Sequence, residues 1–264
     1  MTHVFETDTA LASAGDGRRR AAVPDHWFVE NGPNGGFLAA LATRALIEAV
    51  GAEDRSPRSL TLHFLAPPQA GELEVAVAVE RAGSSTTFAS LRILQGGETV
   101  ALGLGCCAAW REGQPEWDEL ERPAAPPPAE LESLTRIEGT PRFLENYEMR
   151  PWPAPPGRAT AGGWLRAARP RPADPILLAA MTDAWVPAAF LRMDQPSFVP
   201  TIDLTIHWRA PVGAAAGDHP WVLGLFSTRL AAGGTWEEDA ELWSEDGVLL
   251  AQSRQLAIVR RARR

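Results

Sequence analysis

Nine residues in the first half of the chain recur, in altered form, in the second. Ser59-Leu60-Thr61-Leu62-His63-Phe64-Leu65-Ala66-Pro67 is echoed by Asp203-Leu204-Thr205-Ile206-His207-Trp208-Arg209-Ala210-Pro211. Leu, Thr, His, Ala and Pro hold the same places, with Leu/Ile and Phe/Trp exchanges between them. A match this short is weak alone. Each copy, however, follows a helical pattern and precedes a run of strand patterns. A repeat placed in the same order of elements points to two like units in one chain.

In the first unit Phe37, Leu38, Leu41, Ala42, Ala45, Leu46 and Ala49 fall at helical spacing and predict a helix over roughly 36–50. Strands are expected at about 59–65, 72–81, 86–95 and 99–110. In the second unit Asp174-Pro175 is a start signal, with Asp as N-cap and Pro at the first helical position. That helix is expected to run to about Val186, because Pro187 disfavours continuation. Strands should follow at about 201–209, 221–230, 236–244 and 248–260, separated by Ala232-Gly233-Gly234 and Glu245-Asp246-Gly247. A shorter strand at 161–167 opens this unit. Between the two, a stretch rich in proline and acidic residues reads as a linker, with low-level helix around 129–134. The division is therefore 1–112, 113–157 and 158–264. The class is α+β: an apolar helix followed by antiparallel strands, a sheet curled around a buried helix, and two such units pairing as a pseudo-dimer.

Charge and composition exclude several functions. The formal net charge is −8, and all 25 basic residues are Arg. An acidic chain of this kind makes a poor nucleic-acid binder. The exceptions are Arg18-Arg19-Arg20 and the Arg-rich run 260–264, which read as solvated ends or as partners for the phosphates of a nucleotide-like ligand. The two cysteines, Cys106 and Cys107, are adjacent and on a strand would point to opposite faces, which argues against a disulfide between them. Neither they nor His3, His26, His63, His207 and His219 show metal spacing. No cofactor is implied, and a cytoplasmic location is expected. The N-terminus lacks a signal peptide's basic start and apolar core. No apolar run reaches membrane-spanning length. Gly-x-Ser-x-Gly is absent, so a serine-hydrolase elbow has no support. Ten Trp and nine Phe against one Tyr either fill a core or line a ligand tunnel, the core being the plainer reading.

Three segments carry a family resemblance: Asn34-Gly35-Gly36-Phe37-Leu38, His63-Phe64-Leu65-Ala66-Pro67, and Asp246-Gly247-Val248-Leu249-Leu250-Ala251-Gln252-Ser253-Arg254-Gln255. In order and spacing they resemble the double hot-dog acyl-CoA thioesterases of the acyl-CoA thioesterase II type. The resemblance covers nearly the whole chain apart from the proline-rich middle. It implies two tandem hot-dog units forming an intrachain pseudo-dimer, and an enzyme of fatty acid metabolism that hydrolyses acyl-CoA to free acid and CoA. Acyl-CoA is then the partner, with no nucleic acid or membrane, and further association into a homo-dimer is expected.

Three residues match that family's catalytic set. Asp183 is the lone charged residue between Ile176 and Val186. It would be the general base on a water, or else an ordinary carboxylate on a helix's solvent side. Thr201 opens Thr201-Ile202-Asp203, letter for letter the family pattern. Strict alternation places it with Asp203, Thr205 and His207, away from the core face, unless a bulge or strand end turns it inward. Gln255 shares a strand face with Leu249, Ala251, Ser253, Ala257 and Val259, whose mostly small side chains leave room for a ligand. Its plain alternative is an exposed polar position. Thr201 and Gln255 would hold the water through hydroxyl and amide. Gly35 and Gly36, at the entry to the first helix, are candidate substrate-binding positions whose N–H groups polarise a carbonyl or meet a phosphate, or else a plain tight turn. The first unit lacks an equivalent set; a rough overlay puts Cys106 where the second has Gln255, and one site per chain is expected. Two other readings stand beside hydrolysis: a non-catalytic acyl-CoA binder or sensor, and a hot-dog hydratase or dehydratase. The latter needs a His near the helix entry, and His26 lies too far before Gly35.

Overall fold

The computed structural model describes residues 3–15, 17–135, 139–153, 157–193, 199–211 and 220–259. The Arg-rich run 260–264, the last residue of the strand expected at 248–260, and His219 lie outside the described residues.

In chain order, α1 (Val4–Asp8), β1 (Ala12–Gly15) and β2 (Arg18–Val23) precede α2 (Gly35–Val50). Then come β3 (Arg55–Phe64), β4 (Gly71–Ala82), β5 (Thr86–Gln95) and β6 (Glu98–Ala109). The second half holds β7 (Tyr147–Pro151), β8 (Ala159–Ala167) and α3 (Pro175–Met181). It ends with β9 (Thr201–Trp208), β10 (Val222–Thr228), β11 (Ala231–Ala232), β12 (Thr235–Ser244) and β13 (Leu249–Ile258). The main strands match expectation to within a few residues at their ends. The segment before α2 and the strand β7 carry little periodicity and were not anticipated; β1, β2 and β7 supply the outer edges of the sheet.

All these strands form one antiparallel sheet in the order β1-β2-β4-β5-β6-β3-β9-β13-β12-β10-β8-β7, with β11 on β12. The two copies of the repeat meet in its middle. β3 pairs with β9 so that Thr61 faces Thr205, Leu60 faces Ile206 and Leu62 faces Leu204. The two Thr hydroxyls lie 3.0 Å apart. Leu60, Leu62, Leu204 and Ile206 turn to the core, while His63 and His207 are exposed on the other face.

α2 explains why the sheet must curl. Every residue from Gly36 to Thr43 is buried, together with Ala45 and Leu46. A helix apolar all round needs cover all round. Its one buried hydroxyl, Thr43, bonds back to the carbonyl of Ala39 at 2.7 Å. Asn34 caps the start by accepting from the Phe37 N–H, and Gly51 ends it in the left-handed region at φ 59°. Trp27 stacks on Phe37 with ring centroids 5.0 Å apart. α3 is shorter but equally buried, from Ile176 to Met181.

The helix expected to reach Val186 stops at Met181. Its end tightens there, the N–H groups of Asp183 and Ala184 bonding back only three residues, to the carbonyls of Ala180 and Met181. The Thr182 hydroxyl turns back onto the carbonyl of Ala179, and the chain leaves the helix through the turn that holds Asp183.

Much of the expected linker is packed. Residues 122–131 lie on the outer face of the second half's sheet, over Trp164, Trp243 and Leu223. The Trp164 N–H donates to the carbonyl of Pro126 at 2.7 Å, and a cavity of about 440 Å3 sits beneath this strap. The expected helix at 129–134 is a single 3-10 turn over Pro128–Glu130. Seven of the ten tryptophans are buried, the Trp27 and Trp208 N–H groups donating to Asp8 and to the carbonyl of Pro175, while Trp110 and Trp117 are exposed.

Candidate active site

Asp183 sits where the two halves meet. Its carboxylate Oδ2 accepts from Asn34 Nδ2 at 2.9 Å and from the Gly36 N–H at 3.1 Å. Its own carbonyl accepts from the same Asn34 amide at 2.8 Å. The N-terminus of α2 thus holds a carboxylate from the other half of the chain, as its dipole favours. The two glycines are required sterically. A Cβ on Gly36 would strike the carbonyl of Ala180, and one on Gly35 would come to 3.0 Å from Asp183 Oδ2 and 3.3 Å from the Phe64 ring.

The other oxygen, Oδ1, accepts from Gln255 Nε2 at 3.2 Å. Gln255 lies on β13 beside Leu204 of β9, on the core face. Thr201 Oγ1 in turn donates to Gln255 Oε1 at 2.9 Å. The alternation that seemed to send Thr201 outward is broken by a bulge. Asp203 pairs with Leu256 and Thr201 with Ala257, so Ile202 is the extra residue. Thr201 therefore shares the core face with Ala257 and Gln255. Asp183, Thr201 and Gln255 are brought together as one hydrogen-bonded chain, with Gly36 bonded to it and Gly35 against it.

Sequence reading missed three contributors. Asn34 was seen only as part of the helix entry, and its amide fixes Asp183 twice. Glu238 on β12 faces Gln255, is 2% exposed, and accepts from Gln255 Nε2 at 3.0 Å and from the Ala188 N–H at 2.7 Å. The signal was present: period-two alternation puts Glu238 with Trp236, Ala240 and Leu242 on the buried face, an unusual place for a carboxylate. Tyr147 is the third. Its hydroxyl is buried with no hydrogen-bond partner among the described residues, and it feels the charge of Asp183.

The electrostatics follow from burial. Asp183 is half-buried by exposed area, yet protein surrounds its carboxyl. Desolvation raises its pKa to about 6 against the pull of the Gln255, Gly36, Gly35 and Asn34 donors. Glu238 is raised to about 8, chiefly by desolvation and also by Asp183. Tyr147 is driven far up by burial.

The first half has no counterpart, and the pairing register says what replaced it. Gly105 faces Leu60 as Gln255 faces Leu204, and Ala89 faces Gly105 as Glu238 faces Gln255. Pro57, before a matching bulge at Arg58, stands where Thr201 does. The overlay on Cys106 was thus one residue off. A Cβ on Gly105 would run into Leu46, whose side chain fills the space. Cys107 is buried beside Leu46 with its thiol pushed up to about 12, and Cys106 is also raised by burial. His26 bonds Asp8 at 2.7 Å and does not join the Asp183 cluster.

No helix among the described residues is long and apolar enough to cross a membrane. Among the same residues there is no cluster of three or more His, Cys, Asp or Glu that could hold a metal.

A carboxylate with an intermediate pKa, wired to an amide and a hydroxyl at the N-terminus of a buried helix, can accept a proton near neutral pH. Comparison with known proteins narrows the class. Residues 118–259 match the acyl-CoA thioesterase C-terminal domain, and residues 23–108 match the acyl-CoA thioesterase N-terminal domain. The chain belongs to the acyl-CoA thioesterase family and is a thioester hydrolase. A hot-dog-fold protein of unknown function from Alicyclobacillus acidocaldarius superposes with a TM-score of 0.90 at 26% identity, covering 100% of both chains. An acyl-CoA thioesterase II from Mycobacterium marinum has the same fold, with a TM-score of 0.77 at 24% identity over 98% of this chain and 99% of that one. An uncharacterised protein of Mycobacterium tuberculosis is 26% identical over 267 residues, covering 89% of this chain and 88% of its own.

Proposed function

We propose that the chain hydrolyses acyl-CoA to free acid and CoA through a water activated by Asp183. The carrying observation is the continuous bonding from Thr201 to Gln255 to Asp183 beside the glycine entry of α2. A thioester carbonyl is already electrophilic, so the site needs an oriented water and a base more than a strong nucleophile. Asp183 takes a proton as water oxygen bonds to the carbonyl carbon. The C–S bond then breaks, and the same proton passes to the departing CoA thiolate. Thr201 and Gln255 hold the water, and the reacting carbonyl lies with its developing charge toward the α2 N-terminus at Gly35 and Gly36.

The wider reading follows the same lines. The repeat, the matched bulges and the seam of β3 against β9 support two tandem hot-dog units, 1–112 and 158–264, in an intrachain pseudo-dimer joined by 113–157. Cytoplasmic work on fatty acyl-CoA, with further association into a homo-dimer, completes the proposal.

A rapid-quench reaction in 18O-labelled water, followed by mass spectrometry, tests the chemistry. The expected result is label in the released acid and no acyl adduct on the protein at any time. An acyl group trapped on Asp183 would overturn the activated-water step.

A further inference from the structure

The arginine cluster that the sequence offers to phosphates is already spent. Glu74, Glu48 and Glu72 lie 2.9, 3.1 and 3.5 Å from Arg18, Arg19 and Arg20. Arg58 and Arg209 are different. Neither makes an ion pair or a side-chain hydrogen bond among the described residues. Yet they are neighbours: Ser59 of β3 faces His207 of β9, so the two arginines lie one residue off direct opposition at the end of the central seam. Burial, and after it the charge of Arg209, pulls the Arg58 guanidinium below its ordinary value. Two like charges side by side repel, and an anion between them turns that repulsion into attraction.

The pair is also held in place. Arg58 is the bulged residue of β3 and is half-buried. Its guanidinium stacks over the Trp110 ring, 4.3 Å from the centroid, which fixes its plane and leaves its N–H edge free. Strand register brings Ser59, Cys106, His207 and Gln252 to the same outer patch, and none is acidic.

The repeat defines where the pair stands. The shift of 144 residues that carries Thr61 to Thr205 also carries Arg58 to Ile202 and Leu65 to Arg209. Ile202 and Leu65 border the Asp183 cluster, next to Thr201 and to Phe64, whose ring lies against Gly35. Arg58 and Arg209 border the equivalent space of the first half, next to Pro57 and Trp208, where Leu46 has closed the interior. One half has the Asp183 cluster and an apolar rim. The other has a filled interior and a cationic rim.

We propose that Arg58 and Arg209 form a binding site for a phosphate-bearing ligand, apart from the Asp183 site. Thr201 opens β9 and Arg209 lies past its other end, about 25 Å along the strand. A phosphate monoester brings a charge of about −1.5 to −2 and three acceptor oxygens, which suits two guanidinium forks. A lone carboxylate balances one of them. Coenzyme A and free pyrophosphate both carry the required chemistry.

The test is isothermal titration calorimetry of the whole chain at low salt, with pyrophosphate, CoA and pantetheine as probes. Wild type is compared with Arg209→Gln and with the double variant Arg58→Gln/Arg209→Gln, and melting temperatures are recorded alongside. Pyrophosphate is expected to bind wild type at one site per chain, to bind the double variant about tenfold or more weakly, and to bind Arg209→Gln in between. Its binding to wild type should weaken as salt rises. Pyrophosphate reads this site whether or not the chain hydrolyses acyl-CoA. A component of CoA binding lost in the double variant, with pantetheine unaffected, assigns the ligand to the phosphorylated end of CoA. Loss of pyrophosphate binding alone assigns the site to free phosphates. Equal pyrophosphate binding by all three proteins, or none by wild type, overturns the proposal. A loss seen only in a double variant that no longer melts cooperatively, with Arg209→Gln binding as wild type does, overturns it as well.

Discussion

At the scale of single residues, the site depends on a carboxylate kept poised by opposed effects. Burial raises Asp183 to about 6, so activity that needs its ionised form should rise with pH through that region. A kcat profile flat from pH 5 to 8 would contradict the assignment. Thr201→Val keeps the shape and removes the hydroxyl that bonds Gln255; a loss of about 10- to 100-fold in kcat with little change in KM is expected from steady-state kinetics. The same shifts bear on stability. Asp183 and Glu238 both titrate above ordinary carboxylates, so the folded state holds protons that the unfolded chain releases. Their contribution is full below the ordinary carboxylate pKa and is lost as pH rises through about 6 and then about 8. Denaturant midpoints should therefore fall between pH 5 and 9, and more steeply in wild type than in Glu238→Gln. Asp183 and Gln255 could be picked out by residue type and family pattern. Their partners could not, because Asn34 lies 149 residues from Asp183 and no local pattern links them.

At the scale of elements, the strands of the repeat were legible because alternation and periodicity are local. Two departures mattered, and both follow from backbone detail. The bulge at Ile202 reverses the face of Thr201, and the tightened end of α3 after Met181 places Asp183 in a turn instead of on the helix. Close packing of α2 on α3 adds a further test. Gly36→Ala forces a methyl against the carbonyl of Ala180, which is backbone and cannot turn aside. A loss of about 1–3 kcal/mol in unfolding free energy is expected, together with reduced kcat as the Asp183 donor shifts. An unchanged denaturation midpoint would show that the two helices can separate freely.

At the scale of the whole molecule, the sheet is one continuous surface, and its central seam joins the two copies of the repeat. The site lies across that join. The second half brings Asp183, Thr201, Gln255 and Glu238, and the first brings Asn34, Gly35 and Gly36. The repeat disclosed two similar halves but not that one would serve the other, since that depends on how the helices meet. The first half has closed its own equivalent space with Leu46, Ala89 and Gly105. The measurement that bears most directly on the account is thiol release by purified protein across acyl-CoA esters of graded chain length, with Asp183→Ala measured for both turnover and acyl-CoA binding. Release by wild type, with binding but no turnover in the variant, is predicted. Equal release by both proteins, or none by wild type on any ester, would contradict it.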